Sequence, residues 1–272
     1  MSGLHKGTHL GRSKLDGRVA LVTGGTRGIG ASICRSLASQ GAIVAAGYSG
    51  NEEAAHAFAE ELRTSYPDAT FSVHRGNIGE PADCRRVVDE VLAAHGRLDI
   101  LVNNAGITLD KTFLKMTDEE WHKVVSVNLS GAFFMSQPAL RHMLERGTGR
   151  VVNVSSIVGE IGNIGQTNYA ASKSGLIGMT KSLAREVSFL LQRADKLDDG
   201  VGLTVNVVSP GVVDTEMVQQ IPDRIREGLV GQIPVQRFGD PEEIARVVHF
   251  LCADESSFIT GQVWSVNGGM DM

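Results

Sequence analysis

The sequence contains few cysteines, few aromatic residues and no long apolar run. Its three cysteines, Cys34, Cys84 and Cys252, are far apart, odd in number and outside any Cys-x-x-Cys pair. Such usage is typical of free thiols in a reducing compartment, so we expect a cytoplasmic protein with neither a disulfide framework nor a metal site. No apolar run reaches transmembrane length, and residues 1–17 lack the apolar core of a secretory signal. We therefore expect a flexible N-terminal tail over 1–17 and a single domain over 18–272.

The chain also carries fewer basic than acidic residues. The net charge is -5 and the isoelectric point is near 5.9. Such a chain has no overall attraction for nucleic acid or for an anionic membrane. An aromatic content of 5% also disfavours a platform on which bases could stack. We predict neither nucleic acid nor membrane among the partners.

Glycine, by contrast, is abundant. The chain has 32 glycines among 272 residues, where an average usage of roughly 7% gives about 19. An ordinary hydrophobic content of 42% excludes bulk disorder, and the glycines lack the three-residue period of collagen. The excess therefore needs a local explanation, at particular turns of the chain.

Short apolar runs alternate with amphipathic stretches of helical length. The runs predict strands at Val19–Val22, Ala42–Ala46, Thr70–Val73, Ile100–Val102, Val151–Val154, Leu203–Val208 and Val263–Val266. The stretches between them predict helices at about Gly28–Gln40, Glu52–Ser65, Pro81–His95, Thr117–Arg146, Thr167–Val187 and Pro241–Asp254. This alternation is typical of βαβ units and predicts an α/β fold, a Rossmann-like doubly wound parallel sheet of about seven strands.

Two places interrupt the pattern. Pro138 falls inside the stretch Thr117–Arg146 and should kink or divide that helix, because proline has no backbone N–H. The charged segment Phe189–Gly200 lies between a helix and a strand. We interpret it as an inserted excursion.

The first predicted strand leads directly into Thr23-Gly24-Gly25-Thr26-Arg27-Gly28-Ile29-Gly30 and then into a helix. A strand, a glycine loop and a helix in this order form the setting of a dinucleotide site. Gly24 would permit the tight turn, Gly28 would let the backbone approach a pyrophosphate, and Gly30 would allow close packing. The spacing differs from the common G-x-G-x-x-G, so a glycine-rich turn without a ligand is the alternative.

The end of the second strand bears on the choice of cofactor. A site for NAD usually has an acidic residue there to bind the ribose 2′-hydroxyl. Here the sequence runs from Ala45 to Asn51 without a carboxylate, and the first one is Glu52. Arg27 could instead pair with a 2′-phosphate. We therefore favour NADPH over NADH, and the alternative is that Arg27 is only a surface charge.

A tyrosine and a lysine four residues apart, Tyr169 and Lys173, open another predicted helix and share one of its faces. An ammonium close to a phenol stabilises the phenolate and lowers the pKa of the phenol from about 10. The fifth strand ends in Ser155-Ser156, and the carboxyl ends of such strands are where these sheets build their sites. Asn128 lies among apolar neighbours of a helix, which indicates a hydrogen-bonding role, structural or catalytic.

These motifs together resemble the short-chain dehydrogenase/reductase superfamily, over about residues 16–272. Within it, the chain is most similar to the 3-oxoacyl-[acyl-carrier-protein] reductases and the acetoacetyl-CoA reductases. The stretches that carry this resemblance are Asn104-Ala105-Gly106-Ile107-Thr108, Gly165-Gln166-Thr167-Asn168-Tyr169, Asn206-Val207-Val208-Ser209-Pro210-Gly211 and Asn267-Gly268-Gly269.

The resemblance implies a role for each matching catalytic residue. Tyr169 would protonate the substrate oxygen, Lys173 would lower the pKa of that tyrosine and hold the nicotinamide ribose, and Ser156 would polarise the carbonyl. Ser155 is the weaker candidate for the serine. Asn128 would anchor a water that links Lys173 to solvent.

The resemblance also implies which residues surround NADP(H) and the substrate. Asn77 would contact adenine, and Thr215 would hold the nicotinamide carboxamide. The full predicted cofactor-binding set is Gly24, Thr26, Arg27, Gly28, Ile29, Gly30, Ser49, Asn77, Ile78, Asn104, Ala105, Gly106, Tyr169, Lys173, Pro210, Gly211, Val213 and Thr215. The predicted substrate-binding set is Ser156, Gln166, Tyr169 and Met217. The segment Gly211–Val230 would be a lid, and its Met217, Val218 and Ile221 would give an apolar wall to an acyl chain.

The expected partner is thus a 3-oxoacyl thioester, carried by acyl carrier protein or coenzyme A, and the family implies a homotetramer. The segment 189–200 mixes Arg193 and Lys196 with three aspartates where an acidic carrier would dock, so coenzyme A is a comparable choice. Two alternatives stay open. The chain could reduce another ketone or alcohol, such as a sugar, a steroid or a simple ketone, or it could be a nucleotide-sensing regulator on the same fold.

Overall fold

A parallel sheet of seven strands forms the centre of the protein, in a computed structural model that describes residues 14–197 and 202–272. The strand order is β3-β2-β1-β4-β5-β6-β7, and every neighbouring pair is parallel. The strands are β1 (Val19–Val22), β2 (Ile43–Tyr48), β3 (Phe71–Arg75), β4 (Ile100–Asn103), β5 (Gly149–Val154), β6 (Leu203–Pro210) and β7 (Val263–Val266). The predicted α/β class and doubly wound sheet are confirmed.

Helices cover both faces of this sheet. They are α1 (Gly28–Ala38), α2 (Glu52–Ser65), α3 (Pro81–His95), α4 (Asp118–Val125), α5 (Gly131–Arg146), α6 (Val158–Ile161), α7 (Thr167–Arg193), α8 (Glu216–Gln219), α9 (Asp223–Val230) and α10 (Pro241–Cys252). One core packs around Ile33, Leu37 and Val248, and the other around Val88 and Met143. The strands become continuous apolar runs because both of their faces are buried.

The order of the strands reverses between β1 and β4. Chain segments after these two strands therefore diverge to opposite faces and leave a crevice at the carboxyl edge of the sheet. The glycine loop follows β1 and the Asn103–Gly106 stretch follows β4, so both border this crevice.

Two helices begin where their sequences predict. The Thr117 side chain accepts a hydrogen bond from Glu120 N, and the Glu120 carboxylate accepts one from Thr117 N. Asp240 and Glu243 form the same reciprocal pair at α10, with a proline in the first turn. Each pair satisfies backbone N–H groups that a helix start leaves without partners.

The prediction about Pro138 is wrong in its position. The stretch Thr117–Arg146 is divided before that proline, by a π-helical turn over Ser126–Ser130, and α5 continues through Pro138. Met135, Ala139 and Met143 lie one turn apart on the buried face of α5, and their packing holds the two halves of the helix together.

The segment Phe189–Gly200 is only partly an excursion. α7 continues to Arg193, because Val187 and Leu191 are buried at helical spacing and extend the apolar face of the helix. Residues 194–197 form a turn, and Asp198, Asp199 and Gly200 lie outside the described residues.

Residues 14–17 also belong to the packed structure. Leu15 is buried and its N–H donates to Gln40 O, while Gly17 N donates to Gly41 O. The packed part of the chain thus begins before the boundary predicted at residue 18, and residues 1–13 lie outside the described ones.

The described ranges contain neither a helix that could span a membrane nor a cluster of side chains that could hold a metal ion. Across residues 14–197 and 202–272, no helix is long and apolar enough to span a bilayer. Over the same ranges, no three His, Cys, Asp or Glu side chains are grouped so that they could hold a metal ion.

Candidate active site

The glycine loop after β1 has a backbone that requires glycine at three positions. Gly24 and Gly28 have φ of +61° and +52°, in the left-handed region that side chains disfavour. A Cβ on Gly30 would overlap the carbonyl oxygen of Gly24, so the helix can pack on the loop only with glycine there. Among the described residues, no side chain caps α1. Its first-turn N–H groups therefore remain available to an anionic ligand.

A cleft of about 530 Å³ opens beside this helix start. Thr26, Arg27 and Gly28 line it from the loop, and Thr215 lines it from the segment after β6. Thr215 lies opposite Gly28, whose added Cβ would be 3.7 Å from the threonine methyl group. The structure therefore brings together four residues of the predicted cofactor set.

Arg27 is an exposed side chain without a partner in the described ranges. It makes neither a hydrogen bond nor an ion pair within residues 14–197 and 202–272. Ser49, at the end of β2, is also exposed. A free guanidinium and a hydroxyl are both suitable donors to a phosphate.

The end of β4 is tied to the glycine loop. Asn104 Nδ2 donates to Thr23 O at 3.0 Å and to Gly24 O at 3.2 Å. The Thr23 hydroxyl accepts from the backbone N–H groups of Asn104 and Ala105, at 3.0 and 3.1 Å. These bonds fix the position of Asn104 and connect the end of β4 to the glycine loop.

Other predicted cofactor residues border the same edge. Asn77 Oδ1 accepts from Gly79 N at 3.0 Å, so its side chain shapes the turn between β3 and α3. Ile78 packs against the core next to that turn. Pro210 ends β6, Gly211 N donates to Val266 O, and Val213 is buried in a bridge with Gly239. For these residues, contact with a cofactor stays a prediction.

The two serines after β5 have different surroundings. Ser155 Oγ donates to Lys173 O at 2.8 Å, so this hydroxyl holds α7 in place. Ser156 Oγ accepts from Val158 N at 3.2 Å, and this hydroxyl lies close enough to the Tyr169 phenol to oppose the rise in the pKa of that tyrosine. The geometry therefore favours Ser156 over Ser155 as the serine that meets a substrate with Tyr169.

Tyr169 and Lys173 lie together at the start of α7. The Lys173 Nζ is 5.7 Å from the centroid of the Tyr169 ring and donates to Val154 O at 2.8 Å. Burial lowers the pKa of Lys173 to about 8. Burial also raises the pKa of Tyr169, the hydrogen bond from Ser156 opposes that change, and the Asp110 carboxylate adds to it. A phenol whose proton is held in this way can act as a general acid once a cation stabilises its phenolate.

Asn128 lies at the centre of the π-helical turn Ser126–Ser130 and is buried. Its Oδ1 accepts from Ile107 N at 2.8 Å, and its Nδ2 donates to Ile107 O at 3.0 Å and to Ser172 Oγ at 3.1 Å. An added Cβ on Gly106 would be 3.3 Å from both Asn128 Oδ1 and Lys173 Nζ. Asn128 thus joins the crevice to α7 beside the lysine.

Gln166 lies directly before α7, three residues ahead of Tyr169. Its Nε2 donates to both carboxylate oxygens of Asp110, at 3.1 and 3.0 Å. Sequence reasoning missed Asp110, because a charged residue on an exposed connection carries no distinguishing pattern. Met217 lies on α8 within the expected lid, but its side chain is outside the described part of the structure.

Comparisons with known proteins agree with this geometry. A family model described as enoyl-(acyl carrier protein) reductase matches residues 24–271. The chain belongs to the short-chain dehydrogenase/reductase superfamily. It is therefore an oxidoreductase, and reductases of this family use a nicotinamide cofactor.

Several characterised relatives are similar over nearly their whole length. Acetoacetyl-CoA reductase of Rhizobium meliloti is 46% identical over 253 residues, which are 93% of this chain and 98% of the relative. The 3-oxoacyl-[acyl-carrier-protein] reductases FabG of Aquifex aeolicus and Escherichia coli are 45% and 42% identical, over 94% of this chain and 98% of each relative.

The site of this superfamily member fits a dinucleotide. The uncapped start of α1 and the left-handed glycines suit a pyrophosphate, and the cleft beside Arg27 has room for the adenosine end. An added side chain on Gly106 would crowd Lys173 Nζ, so glycine at this position leaves the ammonium accessible to a ribose hydroxyl.

Proposed function

We propose that the protein reduces the ketone of a 3-oxoacyl thioester to the 3-hydroxyacyl thioester, with NADPH as the reductant. The observation that carries this proposal is the convergence of Ser156, Tyr169 and Lys173 at the carboxyl edge of the sheet, beside a loop fit for a dinucleotide. The relatives named as acetoacetyl-CoA and 3-oxoacyl-[acyl-carrier-protein] reductases support the substrate class.

The choice of NADPH rests on charge. β2 ends in Tyr48, and the next residues, Ser49 to Asn51, carry no carboxylate that would bind a 2′-hydroxyl or repel a 2′-phosphate. The Arg27 guanidinium, which has no partner among the described residues, lines the adjoining cleft. A charge-assisted hydrogen bond from a guanidinium to a phosphate is strong, so the 2′-phosphate would add affinity.

The reaction divides between the cofactor and the protein. When bound, the reduced nicotinamide supplies a hydride to the carbonyl carbon. The Ser156 hydroxyl donates a hydrogen bond to the carbonyl oxygen, and Tyr169 gives its proton to the same oxygen. The Lys173 ammonium stabilises the phenolate that is left. Asn128 holds the neighbouring backbone in place and would bind a water that returns a proton to Lys173.

The carrier of the acyl group and the assembly are further parts of this proposal. Coenzyme A and acyl carrier protein are both thioester carriers, and relatives named for each are similar to this chain. Gln166 and Met217, which lie directly before α7 and on α8, would bind the acyl thioester. A homotetramer and a cytoplasmic location stay predictions from the resemblance and from the cysteines.

A steady-state assay tests the proposal. The enzyme is mixed with NADPH and acetoacetyl-CoA, and the loss of reduced nicotinamide absorbance is followed beside Tyr169→Phe. We expect wild-type turnover and a loss of at least about 100-fold in the variant, the usual contribution of a general acid. Tyr66→Phe is the matched control, since Tyr66 ends α2 and packs on Phe71, away from the site.

The same assay separates the alternatives. Absence of turnover with every short 3-oxoacyl thioester, together with reduction of a sugar, steroid or simple ketone, would replace the proposed substrate class. Faster turnover with NADH than with NADPH would refute the argument from Arg27. A nucleotide that binds without any redox change would support the regulator instead.

A further inference from the structure

The connection between β4 and α4 is attached to the start of α7 at three consecutive residues. Leu109 O accepts from Asn168 Nδ2 at 3.1 Å, and Lys111 N donates to Gly165 O at 2.8 Å. Between them, the Asp110 carboxylate accepts two hydrogen bonds from Gln166 Nε2. The attachment therefore spans the residues that lead directly into Tyr169.

Two of these contacts are made by Gln166 and Asn168, which lie three residues and one residue before Tyr169. Asn168 is fully buried, and its Oδ1 accepts from Tyr169 N at 2.7 Å. Gln166 stands directly before α7, and its Oε1 accepts from Asn163 Nδ2 at 2.9 Å. Because Asn163 binds its amide oxygen and Asp110 binds its amide nitrogen, the Gln166 side chain is held in one orientation. Asp110 is the charged member of this arrangement.

We propose that Asp110 is a positioning residue for the reduction, one that orients Gln166 over the incoming thioester and places a negative charge against the residues that lead into Tyr169. The inference rests on the proposed function. Asp110 touches neither substrate nor cofactor in this account. It acts through the glutamine and through the electrostatic potential at the phenol.

Asp110 is one of several charged groups on α7 and on the elements around its start. Charged side chains near the start of α7 come from α7 itself, from α6, from α4 and from the β4–α4 connection; they are Lys173, Glu160, Glu119, Glu120, His122, Asp110 and Lys111. Glu160 is engaged by the Ser209 hydroxyl, and Glu120 by Thr117 N. Among these described groups, Asp110 is the one whose charge raises the pKa of Tyr169.

Two substitutions separate the two roles. Asp110→Asn keeps an oxygen that accepts from Gln166 but removes the charge. We expect a nearly unchanged KM for acetoacetyl-CoA, and the deprotonation of Tyr169 should move to lower pH. Asp110→Ala removes the acceptor as well, and we expect the same movement with a rise of roughly tenfold in KM, as for a lost hydrogen bond to a charged group.

A spectroscopic readout makes the test independent of turnover. The chain has three tyrosines, so the ultraviolet difference between a protein and its Tyr169→Phe derivative reports the titration of Tyr169 alone. We expect Asp110→Asn to lower the pKa measured in this way. Asp118→Asn is the matched control, because it removes the same charge from an exposed position at the start of α4 and should leave the titration unchanged.

The outcomes are distinct. If both Asp110 variants lower the melting temperature while the titration of Tyr169 and the KM for acetoacetyl-CoA stay unchanged, Asp110 is only structural and the proposal is overturned. If the titration moves but no thioester is reduced by the wild type, the electrostatic role stands and the proposed function fails. If Asp110→Ala leaves KM unchanged, the orientation of Gln166 is refuted.

Discussion

Removal of the Asn128 side chain tests how the crevice and α7 are joined. Asn128→Ala would leave the N–H and C=O of Ile107 without their side-chain partners. Ser172 Oγ would keep its bond to Tyr169 O at 2.7 Å. Each buried polar group left unpaired costs about 1–3 kcal/mol. Counting the two Ile107 groups, we expect the free energy of unfolding to fall by about 2–6 kcal/mol.

Chemical denaturation measures this change. The midpoint should move to lower denaturant with an unchanged slope, because the surface exposed on unfolding stays nearly the same. Ser130→Ala is the matched control. Ser130 ends the same π-helical turn, and its side chain does not cap a helix. This substitution should change the free energy of unfolding by less than about 0.5 kcal/mol. If Asn128→Ala lowers the free energy of unfolding by less than about 0.5 kcal/mol, water replaces the amide and the two Ile107 groups are not left unpaired, which would refute this prediction.

Three further predictions concern the lysine, the glycine loop and a buried carboxylate. Burial lowers the pKa of Lys173 to about 8, so its ammonium is present below that pH and lost above it. The rate of reduction should therefore begin to fall near pH 8, and Lys173→Arg should move this fall to higher pH in a kcat titration. Gly30→Ala places a Cβ against the Gly24 carbonyl, so the loop and helix must shift apart. Calorimetry should show NADPH binding weakened by roughly tenfold or more, and the melting temperature should fall. Asp99 is fully buried and accepts from Arg97 at 2.7 and 2.6 Å. Asp99→Ala should lower the free energy of unfolding by about 3–5 kcal/mol and leave kcat unchanged, because Asp99 precedes β4 at the opposite edge of the sheet.

Much of the fold could be predicted because its signals are local. The apolar runs of β1 and β7 match the observed strands residue for residue, and α2 and α3 begin and end where their sequences predict. The glycine loop was recognisable because its glycines are required by left-handed backbone and by close packing. Such constraints act within a few residues and leave a readable pattern.

The features that sequence reasoning missed depend on contacts distant in the chain. The π-helical turn at Ser126–Ser130 places Asn128 against Ile107, and helical periodicity alone cannot reveal that requirement. The contact between Asp110 and Gln166 joins residues that are 56 positions apart, so neither residue stands out in the sequence. The extension of α7 did leave a signal, since Val187 and Leu191 continue its apolar face, but the charges around them obscured it.

Transfer of an isotopic label shows whether the hydride of NADPH reaches the ketone carbon of the thioester with the help of Tyr169. The protein is incubated with a 3-oxoacyl thioester and NADPH that carries deuterium at its hydride-donating carbon, and the product is analysed by mass spectrometry. The account predicts a 3-hydroxyacyl thioester with one deuterium at the carbinol carbon from the wild type, and almost none from Tyr169→Phe. Unlabelled product, or labelled product formed equally well by Tyr169→Phe, would contradict it.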